Sequence, residues 1–490
     1  MNSRVQRFVR RVIRNGDGVL VAMAAGLLTS CATNQRGDVD RYRAIADPTT
    51  SPDVSQPDAP VSLVEAMRRT AAFNEQLASR GEEYVQALAD RQRVAASLLP
   101  TLDLVSEVAL RENTGNTSIV QSSLGVNGQY RLLTGLSDLR NVAAADATAE
   151  SQKWLILDLR ESLLLQTATS YYESLRAERL VRVLESSVAA QSERLEDTRA
   201  RNDVGFARPL DVAQNEAQVS RTRTQLVTAS RQAGEARVAL SLLTNTNLRA
   251  APLSDGYQLP AETRGLTELI TLAERHRQDI LAARSDAEAA RARVDAAIGQ
   301  YAPSLSLNLN YFLARGPDDS VSSIASLIQL RFPIFSAGRI EADVQAAWSN
   351  FRQRVLEYRL RVREAKRDVE TALLQLRSSA ERAAELRTQV RAARDALDLA
   401  AAAYEAGLGT NLELVTAQDQ LLAAELEAAS EEFTTKAASL SLRRACGLLS
   451  VDLIDAPLPR LPVDAVPVPD SPFLDRPQTV NTSTPRAPAG

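Results

Sequence analysis

The sequence predicts a mostly α-helical chain with a β part, made from one helix–β-hairpin–long helix–helix unit used twice. Three observations carry this. Ala, Arg, Leu and Glu dominate and aromatics make up only 4% of the chain, the composition of long packed helices. The hydrophobic period switches from helical to two and back at two separate places. The punctuation also recurs at one distance: Pro100 and Pro303 lie 203 residues apart, Gly135 and Gly338 also 203, and Gly205 and Gly407 202. A constant offset held by several marks is the signature of a tandem duplication.

The amino terminus stands apart from this plan. Arg4, Arg7, Arg10, Arg11 and Arg14 precede a short apolar run from Val19 to Leu28. That order reads as a secretory signal, and residues 1–30 are assigned as a lipoprotein signal peptide. Leu28-Thr29-Ser30-Cys31 resembles the bacterial lipobox. The resemblance implies that Cys31 becomes the acylated first residue of the mature chain. Ala32 replaces the aspartate that would imply retention at the inner membrane. Residues 31–61, rich in Pro, Asp, Ser and Thr, are expected to form a lipidated tether. The other cysteine, Cys446, ends an apolar helical stretch and is expected as a small core residue.

The first repeat is assigned to residues 62–245. A helical pattern runs from Ser62 to about Leu99, where Pro100 stops it. A hairpin follows over about 101–133. Leu102, Leu104, Val108 and Leu110 alternate with Asp103, Glu107 and Arg111. Turn residues follow, then Leu124, Val126, Tyr130 and Leu132 alternating with Asn127, Gln129 and Arg131. A helical pattern then continues to Gly205, a length of about 100 Å at 1.5 Å per residue. Glycine there supplies a left-handed helix stop. The turn, about 204–210, leads into a helix in which Asp211 stands near the positive end of the macrodipole.

Residues 246–264 form a connector, and 265–450 repeat the plan. Its hairpin covers about 304–335, with Leu305, Leu307, Leu309 and Tyr311 alternating with Ser306, Asn308 and Asn310. In the second strand Ile324, Ile328, Leu330 and Phe332 alternate with Gln329 and Arg331. Its long helix carries a heptad through Trp348, Val355, Val362, Val369, Leu376, Ala383, Val390, Leu397 and Tyr404, which predicts left-handed supercoiling. Its turn is about 406–412, with Glu413 in the next helix's first turn. In each half two short helices together match the long one, so each half is a rod with the hairpin at one end and the Gly turn at the other. The Pro-rich tail, 451–490, lacks periodicity and is expected to be disordered.

Chemistry of sites is sparse. The one histidine, His276, falls in an amphipathic helix and is expected at the surface. No nucleophile elbow, phosphate loop or metal-ligand cluster is present in the sequence, so no enzyme, cofactor or metal is expected. A net charge of −4 gives no sign of nucleic-acid binding.

Period-two strands also suit a half-buried soluble sheet. Strands of about ten residues equally fit a tilted membrane span. Four strands cannot close a barrel, and an open edge in lipid leaves backbone groups unsatisfied. Membrane insertion would therefore require several copies; three would give a barrel of about twelve strands.

Residues about 62–450 resemble the TolC/OprM family of outer-membrane efflux proteins, and the lipobox places them with its NodT-like lipoprotein branch. The resemblance rests on Leu330-Arg331-Phe332-Pro333-Ile334-Phe335-Ser336-Ala337-Gly338-Arg339, on Leu98-Leu99-Pro100 and on the two Gly turns. It implies a homotrimer: a twelve-stranded outer-membrane barrel in lipid, continued by an α-helical periplasmic tunnel. Its partners would be a periplasmic adaptor (membrane fusion protein) and an inner-membrane pump, of RND type. By matched position, Arg201, Val204, Gly205, Phe206, Ala406, Gly407 and Leu408 would form the adaptor-docking tip. Asp211, Tyr404 and Glu413 would form the gate, with Tyr404 donating to Asp211. Gly409 stands where the family gate can carry an arginine, and neutral Thr416 where a second acidic ring would fall. The competing readings are a duct for type I protein secretion and a non-conducting coiled-coil structural lipoprotein.

The lipobox reading has a direct test. Cys31→Ser is expected to abolish incorporation of labelled palmitate; label retained in that variant would refute it.

Overall fold

The computed structural model describes residues 59–113, 117–258, 264–315 and 324–450. The signal, Cys31, most of the tether and the tail 451–490 lie outside them. The elements are β1 (Val61–Ser62), α1 (Leu63–Phe73), α2 (Glu75–Ala96), β2 (Thr101–Asn113), β3 (Thr117–Thr134), α3 (Ser137–Asp203) and α4 (Pro209–Thr244). There follow β4 (Leu253–Ser254), α5 (Leu266–His276), α6 (Gln278–Ile298), β5 (Ser304–Arg315), β6 (Ile324–Arg331), α7 (Arg339–Glu405) and α8 (Asn411–Ala445). The duplication is plain in this order, and α3 and α7 are both 67 residues long. No described helix is long and apolar enough to cross a membrane.

The expected helix from Ser62 to about Leu99 is two helices. Asn74 adopts an extended conformation, and its Oδ1 accepts from the amides of Gln76 at 3.0 Å and Leu77 at 3.3 Å. The second repeat breaks likewise at Arg277, 203 residues on. Arg277 has no capping side chain; its guanidinium instead binds Asp279 at 2.7 Å and Asp368 of α7 at 3.0 Å. The offset itself changes along the chain. The left-handed pair before α3 is Gly135-Leu136, and before α7 it is Ala337-Gly338. The structural offset there is therefore 202 rather than the 203 given by matching the two glycines.

The hairpins form one four-stranded antiparallel sheet in the order β2-β3-β5-β6. Both outer strands, β2 and β6, have a free edge. The helices follow the same lateral order. Nearest the sheet, α3 packs between α2 and α6, and α6 between α3 and α7; farther away, α3 packs between α4 and α8, and α8 between α3 and α7. α3 is therefore central throughout, and α7 forms one margin.

A core between the two tiers holds them together. Tyr171, Tyr172, Met67, Leu164, Leu240, Leu248 and Phe433 are buried in one cluster. The Tyr171 hydroxyl lies 2.8 Å from the Val61 carbonyl and 2.7 Å from that of Ser254. It thus clasps β1, at the junction of the tether and the first repeat, to β4 of the connector, a parallel pair with no signal in the residue pattern. Cys446 is fully buried near Leu269 and Val369, as expected of a small core residue, and His276 is exposed.

At the same level Glu161 of α3 is buried between α6 and the end of α8. Its Oε1 accepts from Gln278 at 2.6 Å, and Arg444 stands 3.5 Å from Oε2. Burial pushes its carboxyl up to about 7, against the opposing pull of Arg444 and Gln278. From about pH 4.5 to 7 the unfolded chain releases this proton while the folded chain keeps it, so stability falls as pH rises and stays lowered above 7. The full penalty is on the order of 3 kcal/mol. Glu161→Gln is therefore expected to raise the melting midpoint at pH 8 and leave it nearly unchanged at pH 4. Calorimetry at both pH values checks this; an unchanged midpoint at pH 8 would refute it.

Candidate functional site

The two turns at the end of the helical rod are built alike. After α3, Gly205 takes φ +82, and the amides of Phe206 and Ala207 reach back to the Arg201 carbonyl at 2.8 and 3.2 Å. After α7, Gly407 takes φ +73, and the amides of Leu408 and Gly409 reach the Ala403 carbonyl at 2.9 and 3.0 Å. These closures pair the last carbonyls of each long helix. A side chain at Gly205 or Gly407 would meet nothing within 4 Å. Glycine is required there for its backbone angle, not for space.

Each following helix begins on a side-chain cap, and the second is reciprocal. Thr410 Oγ1 accepts from the Glu413 amide at 3.3 Å, and the Glu413 carboxylate accepts from the Thr410 amide at 2.8 Å. That is the T-x-x-E capping box, and these hydrogen bonds hold the Glu413 carboxyl below its ordinary value. In the first turn Asp211 accepts from the Arg208 amide at 3.2 Å and from its guanidinium at 3.1 and 2.9 Å. Pro209 opens α4, where a missing amide proton costs nothing. The Arg208 guanidinium, with its backbone amide, holds the Asp211 carboxyl below the usual range despite the opposing effect of burial.

This corrects one expectation. Asp211 does not take its hydrogen bond from Tyr404 within the chain; the nearer Arg208 occupies both carboxylate oxygens. Tyr404 instead lies with its ring centroid 5.9 Å from the Arg201 guanidinium carbon, a cation–π distance. The sequence reading missed Arg208. Its position three residues before Asp211 was the available signal, but arginine is not a usual helix-capping residue.

The two halves meet behind the turns. Asn411 donates to Gln214 at 3.0 Å, and Asp419 is bound by Gln218 and Arg221. At the extremity Phe206 is 86% and Leu408 87% exposed, with Val204, Leu210 and Leu412 also exposed. The structure thus brings Arg201, Tyr404, Asp211 and the two Gly turns to one end. An apolar cap there has no partner among the described residues.

At the other end the polar faces of the strands align. Asp103 lies opposite Asn127, and Asn127 opposite Asn310, with a 2.6 Å hydrogen bond between the two asparagine side chains. Gln129 lies opposite Asn308, Ser306 opposite Gln329 and Ser304 opposite Arg331. One face of the sheet therefore carries a polar track across β2, β3 and β5, which continues on β6 at Gln329 and Arg331 and gives way to Ala325 and Leu327 opposite Asn310 and Asn308. Among the described residues no group of His, Cys, Asp and Glu is placed to hold a metal.

A sheet with a polar face, stacked on two tiers of helices that end in twin turns, defines the outer-membrane channel fold. A solved *Pseudomonas aeruginosa* membrane protein superposes with a TM-score of 0.72 at 22% identity, over 81% of this chain and all of the other. CusC superposes at 0.73 and 20%, over 81% and 99%. The family model for outer membrane efflux proteins matches residues 68–246 and 269–448, and the chain belongs to that family. Its two matched segments coincide with the two repeats. Among relatives, the toluene efflux pump outer membrane protein TtgF of *Pseudomonas putida* is 27% identical over 73% of each chain. Nodulation protein T of *Rhizobium leguminosarum* is 26% identical over 65% of this chain and 67% of its own. TolC of *Vibrio cholerae* is 22% identical over 80% and 88%. The protein is an outer-membrane efflux channel with a periplasmic tunnel, a conduit rather than an enzyme.

The caps generate a prediction. Asp211→Ala removes three hydrogen bonds and is expected to cost about 1 kcal/mol of local stability. Arg208→Ala, which keeps the Asp211 link to the backbone, is expected to cost less. Amide exchange over residues 209–213 measures both; equal protection in the two variants and the parent would refute the assignment.

Proposed function

We propose that three copies of this chain form one outer-membrane duct, with twelve strands closing a barrel and the helices continuing it as a tunnel. One observation carries this reading: the free edges of β2 and β6 stand at one end of a rod and the exposed apolar turns at the other, about 100 Å away. The edges call for further strands, and the turns call for a protein partner. A structural spacer has use for neither the polar track nor the paired free edges.

The duct works passively within a three-part system. A periplasmic adaptor docks on Val204, Gly205, Phe206, Ala406, Gly407 and Leu408, with Arg201 behind them, and an RND-type inner-membrane pump supplies the energy. Asp211, Tyr404 and Glu413 belong to the gate region, with Arg208 added as the partner of Asp211. Cys31 anchors the mature chain through its acyl groups. Support comes from the family membership and from a relative named as part of a toluene efflux pump.

Phe206→Asp with Leu408→Asp is expected to leave the oligomer intact and to reduce pump-dependent export at least tenfold. Single-channel recording of the purified protein separates conduction from docking: the same variant should still conduct in a bilayer. Unimpaired export would remove the turns from the docking role, and a non-conducting oligomer would remove the duct.

A further inference from the structure

The two repeats meet inside the chain along α3 and α6. Ser137 Oγ donates to the Ala296 carbonyl at 2.8 Å, Arg293 donates to Thr148 Oγ1 at 3.1 Å, and Gln278 donates to Glu161 Oε1 at 2.6 Å. Helical spacing places Ala282, Ser285 and Ala289 in line with Gln278, Arg293 and Ala296, and all three are buried. On α3, Ala144, Ser151 and Glu161 are buried. A different stripe of α6, Ala287, Ala290 and Val294, packs on Phe351 and Val355 of α7.

The duplication carries both sides of this seam to the margins of the molecule. α2 corresponds to α6 at an offset of 203, and α7 corresponds to α3 at 202. Ser79, Glu82, Gln86 and Arg93 therefore stand where Ala282, Ser285, Ala289 and Ala296 stand, and all four are exposed. Ala346, Gln353 and Arg363 stand where Ala144, Ser151 and Glu161 stand, and all three are exposed. One half of the seam is open on α2 and its complement is open on α7. The strands show the same relation: β3 pairs with β5 internally, while their counterparts β6 and β2 have free edges.

We propose that a second copy of this chain lays its α2 along α7 in the register of the internal α3–α6 seam, with Arg363 facing Glu75 of the partner subunit. This rests on the trimeric reading above and adds which faces meet and where. Charge complementarity supports the register. The internal partners Glu161 and Gln278 map onto Arg363 and Glu75, so a carboxylate–amide hydrogen bond becomes an ion pair of opposite charges. Among the described residues Arg363 has no ion-pair partner, and its side chain is exposed. Glu75 is exposed and accepts from Asn245 at 3.0 Å through one oxygen, Oε1. Thr148 and Arg293 map onto Asn350 and Asp90, an amide donor facing a carboxylate whose Oδ1 also pairs with Arg93 of its own helix at 2.6 Å. Arg140 and Asp295, 3.7 Å apart internally, map onto Ala342 and Gln92, which oppose no charges. Sliding α2 by one turn would bring Ser79 to Arg363 and lose the ion pair, and sliding it by two would bring Glu82 there and lose the Asn350–Asp90 match.

Charge reversal in the full chain tests this. Glu75→Arg and Arg363→Glu each set like charges opposite at every seam and are expected to lower the trimer-to-monomer ratio roughly tenfold in detergent. The two together restore the pair, and the ratio should return to within about twofold of the parent. Cross-linking reads the register independently of folding losses. Glu75→Cys with Arg363→Cys is expected to give oxidised dimers and trimers. Glu82→Cys with Arg363→Cys, about 10 Å out of register, should give none. The unmodified chain, whose Cys446 is buried, sets the background. Trimers that ignore both reversals and cross-link only through the displaced pair would overturn the register and leave the trimer standing. A chain that is monomeric throughout would overturn both.

Discussion

The constraint on which the rest of the structure depends is backbone pairing at the edges of a four-stranded sheet. In lipid there is no water to satisfy an open row of amides and carbonyls, at several kcal/mol for each group left over. β2 and β6 each present such a row. The lateral order of the helices repeats the order of the strands, with α3 in the middle and α7 at one margin. Closing the sheet with further copies thus closes the helical tiers in the same operation. A strand arc and a helix arc of the same angular width must come from the same repeat, which is why each hairpin runs directly into the long helix beneath it.

A second constraint is length. A 67-residue helix can be flanked along its whole length only by two shorter helices placed end to end. Their junctions are where backbone groups are exposed in the middle of the wall, and each junction is sealed differently. At the first, Asn245 donates to the Phe73 carbonyl at 3.5 Å and Asn74 to that of Leu243 at 3.5 Å. At the second, Gly447 takes φ +70, and a side chain there would lie 2.7 Å from the Arg277 backbone. Glu161, Gln278 and Arg444 then tie that junction to α3. The buried Glu161 is the energetic cost of building this joint from polar groups; the Tyr171 clasp and its aromatic neighbours offset it in the adjacent core.

Much of this was legible in the residues, for physical reasons that also mark where legibility ends. Pro100, Pro303, Gly205 and Gly407 act locally, so they appear at the element ends the pattern predicts. Thr410 and Glu413 spell their own cap. The break at Asn74 had a local signal in its capping side chain, hidden inside an unbroken apolar period. The break at Arg277 had none, because the carboxylate of Asp368 that helps hold it comes from α7, far along the chain. Matching Gly135 to Gly338 gave the wrong register by one residue. The motif requires two successive left-handed residues, and the glycine is first in one copy and second in the other. The Asp211–Tyr404 link failed for a related reason: a donor on the same turn reaches Asp211 before one on another helix can.

That last point bears on how a duct of this kind would open. Every hydrogen bond that closes the first turn, from Arg201, Asn202 and Arg208, lies within its own helical hairpin, and the same holds for Ala403, Thr410 and Glu413 in the second. Among the described residues, the links between the two hairpins near the tip are Arg201 against Tyr404, Gln214 with the buried Asn411, and Asp419 with the buried Gln218 and the exposed Arg221. An exposed ion pair such as Arg221–Asp419 contributes about 0–1 kcal/mol, and each hydrogen bond between the hairpins about 1 kcal/mol. Moving one hairpin past the other exchanges these few links, whereas unwinding a turn breaks every bond of its cap. Under the proposed duct function, opening is a rigid-body displacement of capped hairpins, in which the caps preserve each turn's shape while the weak contacts between hairpins exchange.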